Sequence, residues 1–128
     1  MKPVFKCLNH IQLTIRKSDE PHARQFYGGL LGLEEIEKPE PLKARGGLWF
    51  QMGNIQLHLG VEEFQGESKR HPAFEVENLA AISEYLKMSG VRVKDEIKIP
   101  GVERISFFDP FGNRIELMEM SDQMKMKR

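Results

Sequence analysis

Histidine, glutamine and glutamate recur in matched places along this 128-residue chain. Gly53-Asn54-Ile55-Gln56-Leu57-His58 is echoed by Gly112-Asn113-Arg114-Ile115-Glu116-Leu117-Met118, with Gln56 and Glu116 at an offset of 60. Asn9-His10-Ile11-Gln12-Leu13 is echoed by Arg70-His71-Pro72-Ala73-Phe74, with His10 and His71 at an offset of 61. A duplication with one inserted residue accounts for both offsets, and it pools four metal-competent side chains. Two imidazoles and a carboxylate, His10, His71 and Glu116, suit a divalent ion such as Zn, Ni, Co, Mn or Fe with coordination positions left open. Gln56 adds a neutral oxygen. An ion so held acts as a Lewis acid on a bound oxygen, and Glu116 can then take a proton from the neighbouring carbon. His58 shares the parity of Gln56 and is the second candidate for proton transfer, with an ordinary pKa near neutrality, or a replacement for Gln56 as ligand.

These side chains need elements that hold them on one face. Leu8 to Ile15 alternates, with Ile11, Leu13 and Ile15 opposite His10, Gln12 and Thr14, the period of a half-buried strand. Ser18 is the expected N-cap of a helix in which Pro21 falls within the first turn and Ala23, Phe26, Tyr27 and Leu30 share a face. Three strands follow, Leu33 to Ile36, Leu48 to Met52 and Ile55 to Leu59, the last two joined by the hairpin signal Gly53-Asn54. Polar residues from Phe64 to Arg70 form a linker. The order then repeats: a strand at Pro72 to Val76, a helix capped by Asn78 and ended by Gly90, and strands at Val91 to Ile99, Glu103 to Phe108 and Arg114 to Glu119. The expected fold is α+β: two βαβββ modules, over about 7–61 and 69–120 of one 1–128 domain, whose mixed sheet curls around a cavity.

Parity puts His10, Gln56, His58, His71 and Glu116 on the strand face opposite the apolar residues, where a cavity would be lined. Trp49, Phe50, Phe107 and Phe108 are expected in the core, with an aromatic substrate wall as the alternative. Lys38, Lys43 and Arg45 lie in the variable stretch Glu34 to Gly47 and could meet an anionic group. Glu119 is expected at the polar rim of the pocket.

Composition narrows the class of function. Lys+Arg and Asp+Glu balance at 19 each, which gives no electrostatic case for nucleic acid or a membrane surface. The basic tail Lys125-Met126-Lys127-Arg128 reads as a solvated terminus. No apolar run approaches a membrane span and no signal pattern opens the chain, so a cytoplasmic protein is expected. The single cysteine, Cys7, offers no internal disulfide and reads as a small buried hydrophobe.

Leu8-Asn9-His10-Ile11, Phe26-Tyr27-Gly28-Gly29-Leu30-Leu31-Gly32-Leu33, His71-Pro72-Ala73-Phe74-Glu75-Val76 and Phe107 through Leu117 together resemble the vicinal oxygen chelate superfamily. That superfamily contains glyoxalase I, extradiol dioxygenases, fosfomycin resistance proteins, methylmalonyl-CoA epimerase and bleomycin resistance proteins. The resemblance implies paired βαβββ modules about a divalent metal, a small-molecule substrate and a homodimer. By position it implies His10, Gln56, His71 and Glu116 as ligands, with Gln56 standing where glyoxalase I has glutamate. A His, Gln, His, Glu shell is similar to that of the epimerase, whereas the turn Asp109-Pro110-Phe111-Gly112-Asn113 is of the glyoxalase, fosfomycin and dioxygenase type. The expected activity is that of a metal-dependent lyase or isomerase of glyoxalase type. A ring-cleaving dioxygenase or a fosfomycin-type thiol transferase is the alternative. A non-enzymatic drug-binding protein fits less well, because the resistance proteins of that kind lack the metal residues and present an acidic groove.

Overall fold

Alternation of apolar and polar residues becomes two four-stranded mixed sheets in the computed structural model, which describes residues 2–63 and 68–122. The linker's 64–67 and the basic tail 123–128 lie outside the described residues. Contacts divide the chain into two units, Met1–Gln65 and Gly66–Arg128. The fold is α+β, and each unit is one βαβββ module.

In the first unit the strands β1 (His10–Ile15), β2 (Glu34–Ile36), β3 (Leu48–Met52) and β4 (Ile55–Val61) lie in the order β1-β4-β3-β2. β1 runs parallel to β4 and the other neighbours are antiparallel. Gly53 opens the two-residue β3–β4 hairpin with the positive φ, 56°, that such loops need. The helical stretch between β1 and β2 starts as a 3-10 turn at Lys17–Asp19, becomes α1 (Glu20–Ala23), and widens to a π-helical run, Arg24–Leu30. Ser18 does not cap it. Asp19 does that work, accepting the Arg16 N–H at 3.0 Å, because the tight first turn brings residue 19 rather than 18 under the free amides. Tyr27 from the π-helical run meets Phe50 of β3, ring centroids 6.0 Å apart, and both are fully buried with Leu57.

The second unit repeats the plan: β5 (Ala73–Glu75), α2 (Leu79–Met88), β6 (Lys94–Asp95), β7 (Val102–Phe108) and β8 (Arg114–Met120), in the order β5-β8-β7-β6, with β5 parallel to β8. Leu79 and Leu86 of α2 are buried, as are Ile105, Phe107, Ile115 and Leu117 on the strand face of matching parity. Asn78 stands at the N-cap position of α2 but takes a left-handed conformation, φ 59°, with no side-chain cap bond. The cap comes from across the sheet. Glu119 of β8 accepts the N–H groups of Asn78 and Leu79, both at 3.0 Å, so it lies on the helix side of the sheet. The strand expected over Val91 to Ile99 shrinks to two residues plus an isolated bridge between Ile99 and Val102, since the Ile97 carbonyl is taken by the Arg104 side chain and Pro100 lacks an N–H.

The aromatic expectation splits by parity. Phe50 and Phe107 are core residues, whereas Trp49 lies on the opposite face of β3 and Phe108 is exposed. Cys7 is exposed as well, one of the residues preceding β1 that no sheet covers. No helix among the described residues is long and apolar enough to cross a membrane.

Candidate functional site

Strand register shows how each module presents its donors. The Gln56 N–H donates to the Asn9 carbonyl at 3.2 Å, which sets His10 opposite Gln56. The Glu116 N–H donates to the Pro72 carbonyl at 3.0 Å, which sets Ala73, not His71, opposite Glu116. The buried triplets Leu57-His58-Leu59 and Ile115-Glu116-Leu117 match one another, which leaves His10 and His71 equivalent, puts His58 rather than Gln56 in the place of Glu116, and makes Gln12, the partner of His58, the counterpart of Ala73. His71 lies two residues upstream, so it keeps the parity of the donor face while standing one pleat back. Its imidazole still reaches the carboxylate, with Nε2 3.5 Å from Glu116 Oε1.

In the first unit the donors are packed among rings. His58 is stacked between Trp49, centroids 3.7 Å apart and planes 3° from parallel, and His10, centroids 4.1 Å apart. Its Nε2 lies 2.9 Å from Gln56 Oε1, a carbonyl oxygen that can only accept, so the proton is on Nε2 and the bond orients the Gln56 amide. Burial pushes the His58 pKa down to about 4, helped by His10 and Lys38 nearby. The expected pKa near neutrality is thus overturned: His58 is a neutral, buried hydrogen-bond donor.

The second unit surrounds its donors with charge. Glu116 is 5% exposed, lies 3.3 Å from Arg104 Nη1, and has Ser106 as its partner across the β7–β8 ladder. Glu96, from the segment after β6, reaches the same Ser106 hydroxyl and also accepts from Arg114 Nη2 at 3.0 Å. These bonds hold its carboxyl below the usual range. Sequence alone did not single out Glu96, which falls inside the strand expected over Val91 to Ile99, whereas in the structure Glu96 lies just past the two-residue β6. Glu116 itself is aimed by the preceding turn. Asp109 Oδ1 accepts the N–H groups of Phe111 and Asn113 at 2.9 and 2.7 Å, and Gly112 takes φ 90°. Of the basic residues expected to meet an anion, Lys43 pairs with Glu37 and Glu40, and the Lys38 ammonium donates to the Gly46 carbonyl.

The tautomers test whether a metal suits these residues. His10 Nδ1 lies 2.8 Å from Asn9 Oδ1, and His71 Nδ1 lies 2.8 Å from the Lys69 carbonyl oxygen. An oxygen acceptor fixes the proton on Nδ1 and leaves the Nε2 lone pair free, the arrangement that metal-binding imidazoles adopt. The donor set fits a divalent ion in kind. Neither unit alone gathers three His, Cys, Asp or Glu side chains as a metal site among the described residues.

Paired βαβββ modules with imidazole, amide and carboxylate donors on the strand face away from the helices define the class. Residues 8–117 match the model of the Glyoxalase/Bleomycin resistance protein/Dioxygenase superfamily, and the chain belongs to that family. Among solved structures it is similar to a protein assigned to the glyoxalase family from Bacillus anthracis, with 43% identity, a TM-score of 0.88, and coverage of 94% of this chain and 100% of that one. It also shares the fold of the genomically encoded fosfomycin resistance protein FosX from Listeria monocytogenes, complexed with Mn(II) and sulfate: 22% identity, TM-score 0.73, 98% of each chain covered. No match was found among curated proteins.

Proposed function

We propose that the protein is a metal-dependent enzyme of glyoxalase type, a lyase or isomerase acting on a small substrate with neighbouring oxygens. His10, Gln56, His71 and Glu116 would hold a divalent ion, within one chain or across a homodimer. The observation that carries this reading is the pair of imidazoles whose Nδ1 atoms are both committed to oxygen acceptors, which leaves both Nε2 lone pairs for an ion. Family membership and the Mn(II) bound by the FosX relative support the use of a divalent metal. When bound, the ion would polarise the substrate oxygens and stabilise the negative charge that develops on them.

The chain's own residues supply orientation and proton transfer. His58, neutral and wedged between two rings, holds the Gln56 amide by its Nε2–H and leaves that oxygen's remaining lone pair for the ion. Its low pKa makes it a poor proton acceptor, so the base role falls to Glu116. In the absence of an ion, Glu116 faces His71 and Arg104. Once substrate displaces one of these contacts, its carboxylate would accept the proton from the carbon beside the bound oxygen.

A second reading, ring-cleaving dioxygenation, is favoured by the two-histidine, one-carboxylate composition. Metal analysis of protein purified without chelator, followed by calorimetry with Ni, Co, Mn, Fe and Zn, tests the ligand assignment; absence of affinity for all five would refute it. A screen of 2-oxoaldehyde hemithioacetals, catechols, and fosfomycin with a thiol then separates isomerase, dioxygenase and transferase.

A further inference from the structure

Residues 2–9 are exposed throughout and join no strand or helix. Val4, Phe5 and Leu8 are 89%, 90% and 61% exposed, a run of apolar side chains held in water at a cost. Lys2 and Lys6 flank Val4 and Phe5. Asn9 is where the sheet takes hold, its carbonyl accepting the Gln56 N–H. The second module carries a groove suited to such a segment. It encloses about 1080 Å³ between the first turns of α2, the segment 95–101 and the adjoining ends of β7 and β8. Ile99, Val102 and Met120 give it an apolar wall, and Glu84, Asp95, Glu103 and Asp122 edge it. Glu103 stands directly opposite Glu119 in the β7–β8 ladder, a like-charge pair, and Glu119 is already committed to the N-terminus of α2. Lys87 reaches Glu84 only at 3.8 Å. Of the basic side chains that line the groove, Arg104 is turned to Glu116 and the Ile97 carbonyl, which leaves Lys98 against four carboxylates.

We propose that residues 2–8 are a docking arm, and that the groove of the second module in another copy of this chain receives it. Charge and polarity agree on the pairing. In an extended segment Phe5 and Lys6 point to opposite sides, so Phe5 can pack on the apolar wall while Lys6 meets the carboxylate edge. A lysine there also relieves the unfavourable Glu103–Glu119 juxtaposition. The chain as a whole carries 19 basic and 19 acidic residues, so two copies approach without net repulsion and the attraction is local to arm and groove. Seven extended residues span at most about 25 Å, enough to lie along the groove. The arm is exposed and the groove open in the single chain, and a symmetric exchange between two copies covers both arms and fills both grooves. This contact is independent of the metal reading, since none of His10, Gln56, His71 and Glu116 lines the groove.

The test uses the single cysteine, Cys7, which is exposed on the arm itself. Full-length chain carrying a methanethiosulfonate nitroxide on Cys7 is mixed with ¹⁵N-labelled Cys7→Ser chain, so any paramagnetic broadening of an amide signal passes from one copy to another. Broadening is expected at Ser83, Glu84, Ile99 and Glu103, and it should vanish when the nitroxide is reduced. Light scattering on unlabelled chains supplies the second measurement. Lys6→Glu and Phe5→Ser should each weaken self-association at least about tenfold, and Lys6→Glu combined with Glu103→Lys should recover part of the loss. Both arm positions lie outside every strand and helix, so these variants leave the fold intact. A monomer by light scattering at the concentration of the NMR sample overturns the proposal. Broadening at other amides, or only when nitroxide and ¹⁵N share a chain, overturns it too, as does a Lys6→Glu variant that associates as tightly as wild type.

Discussion

The two modules have the same strand order and the same single parallel pair, yet they hold their donors by different physics. The first sets His10, Gln56 and His58 among stacked rings, with a neutral imidazole orienting an amide. The second sets His71 and Glu116 in a lattice of arginine–carboxylate contacts. Duplication of a backbone therefore fixes where a donor faces, while the neighbours on adjacent strands decide its protonation. The neutral imidazole of His58 sits where burial excludes charge, and the Glu116 carboxylate sits beside the basic side chains His71 and Arg104.

The sharpest way to break this comparison is to remove the charge from Glu116. Glu116→Gln keeps an oxygen ligand and loses the base, so turnover of the substrate found by the screen should fall by roughly 10²- to 10⁴-fold, with a modest loss of metal affinity. His58→Ala should lower affinity for metal or substrate more than the rate constant, because a neutral imidazole with a pKa of about 4 positions rather than titrates. Steady-state kinetics on both variants decide the matter. Full activity in Glu116→Gln would transfer the chemistry to the first module.

A second contrast concerns how each helical segment is tied down. In the first module Glu20 of α1 accepts the Gly47 N–H at 3.0 Å, and Gly47 takes φ 89° hard against the Leu59 carbonyl oxygen, where a Cβ would collide. Gly47→Ala combines left-handed strain with a backbone clash that no side-chain rotation relieves. It should cost roughly 3 kcal/mol or more, read as a shift in the urea midpoint at constant m. In the second module the tie is the Glu119 carboxylate on the N-terminus of α2. Glu119→Ala should cost about 1 kcal/mol, the usual worth of a cap. Equal stability losses in the two variants would erase the contrast between a steric lock and an electrostatic one.

Much of this was legible in the sequence because strand parity is local. The alternation Ile55-Gln56-Leu57-His58 and Ile115-Glu116-Leu117 fixes which face each donor takes, whatever the tertiary structure does. Register is not local. The parallel pairings that set Gln12 opposite His58 and Ala73 opposite Glu116 are made by residues more than 40 positions apart, so matching Gln56 to Glu116 by offset gave a displaced equivalence. Caps failed for the same reason: Asn78 has the right chemistry, but its left-handed backbone turns the side chain away, and the carboxylate that replaces it arrives from β8. The His58 pKa depends on Trp49 and His10 closing over it from neighbouring strands, which no window of the sequence contains.

The smallest expected effect tests whether the second module's charge network is ionised as described. Glu96 is held below its ordinary value near 4.5, first by the Ser106 hydroxyl and then by Arg114, against a counter-effect of burial. A carboxyl whose folded pKa is depressed binds fewer protons in the folded state, so its contribution to stability is fully present above its unfolded pKa. The contribution is lost as pH falls through the folded value. Glu96→Gln, which keeps the shape and removes the charge, should therefore be less stable than wild type by about 1 kcal/mol at pH 7, and the gap should narrow below about pH 4.5. Thermal melts of the pair at pH 7, 5 and 3.5 measure it. No gap at pH 7, or a gap that fails to narrow down to pH 3.5, would mean that ionisation of Glu96 does not stabilise the fold in the way described.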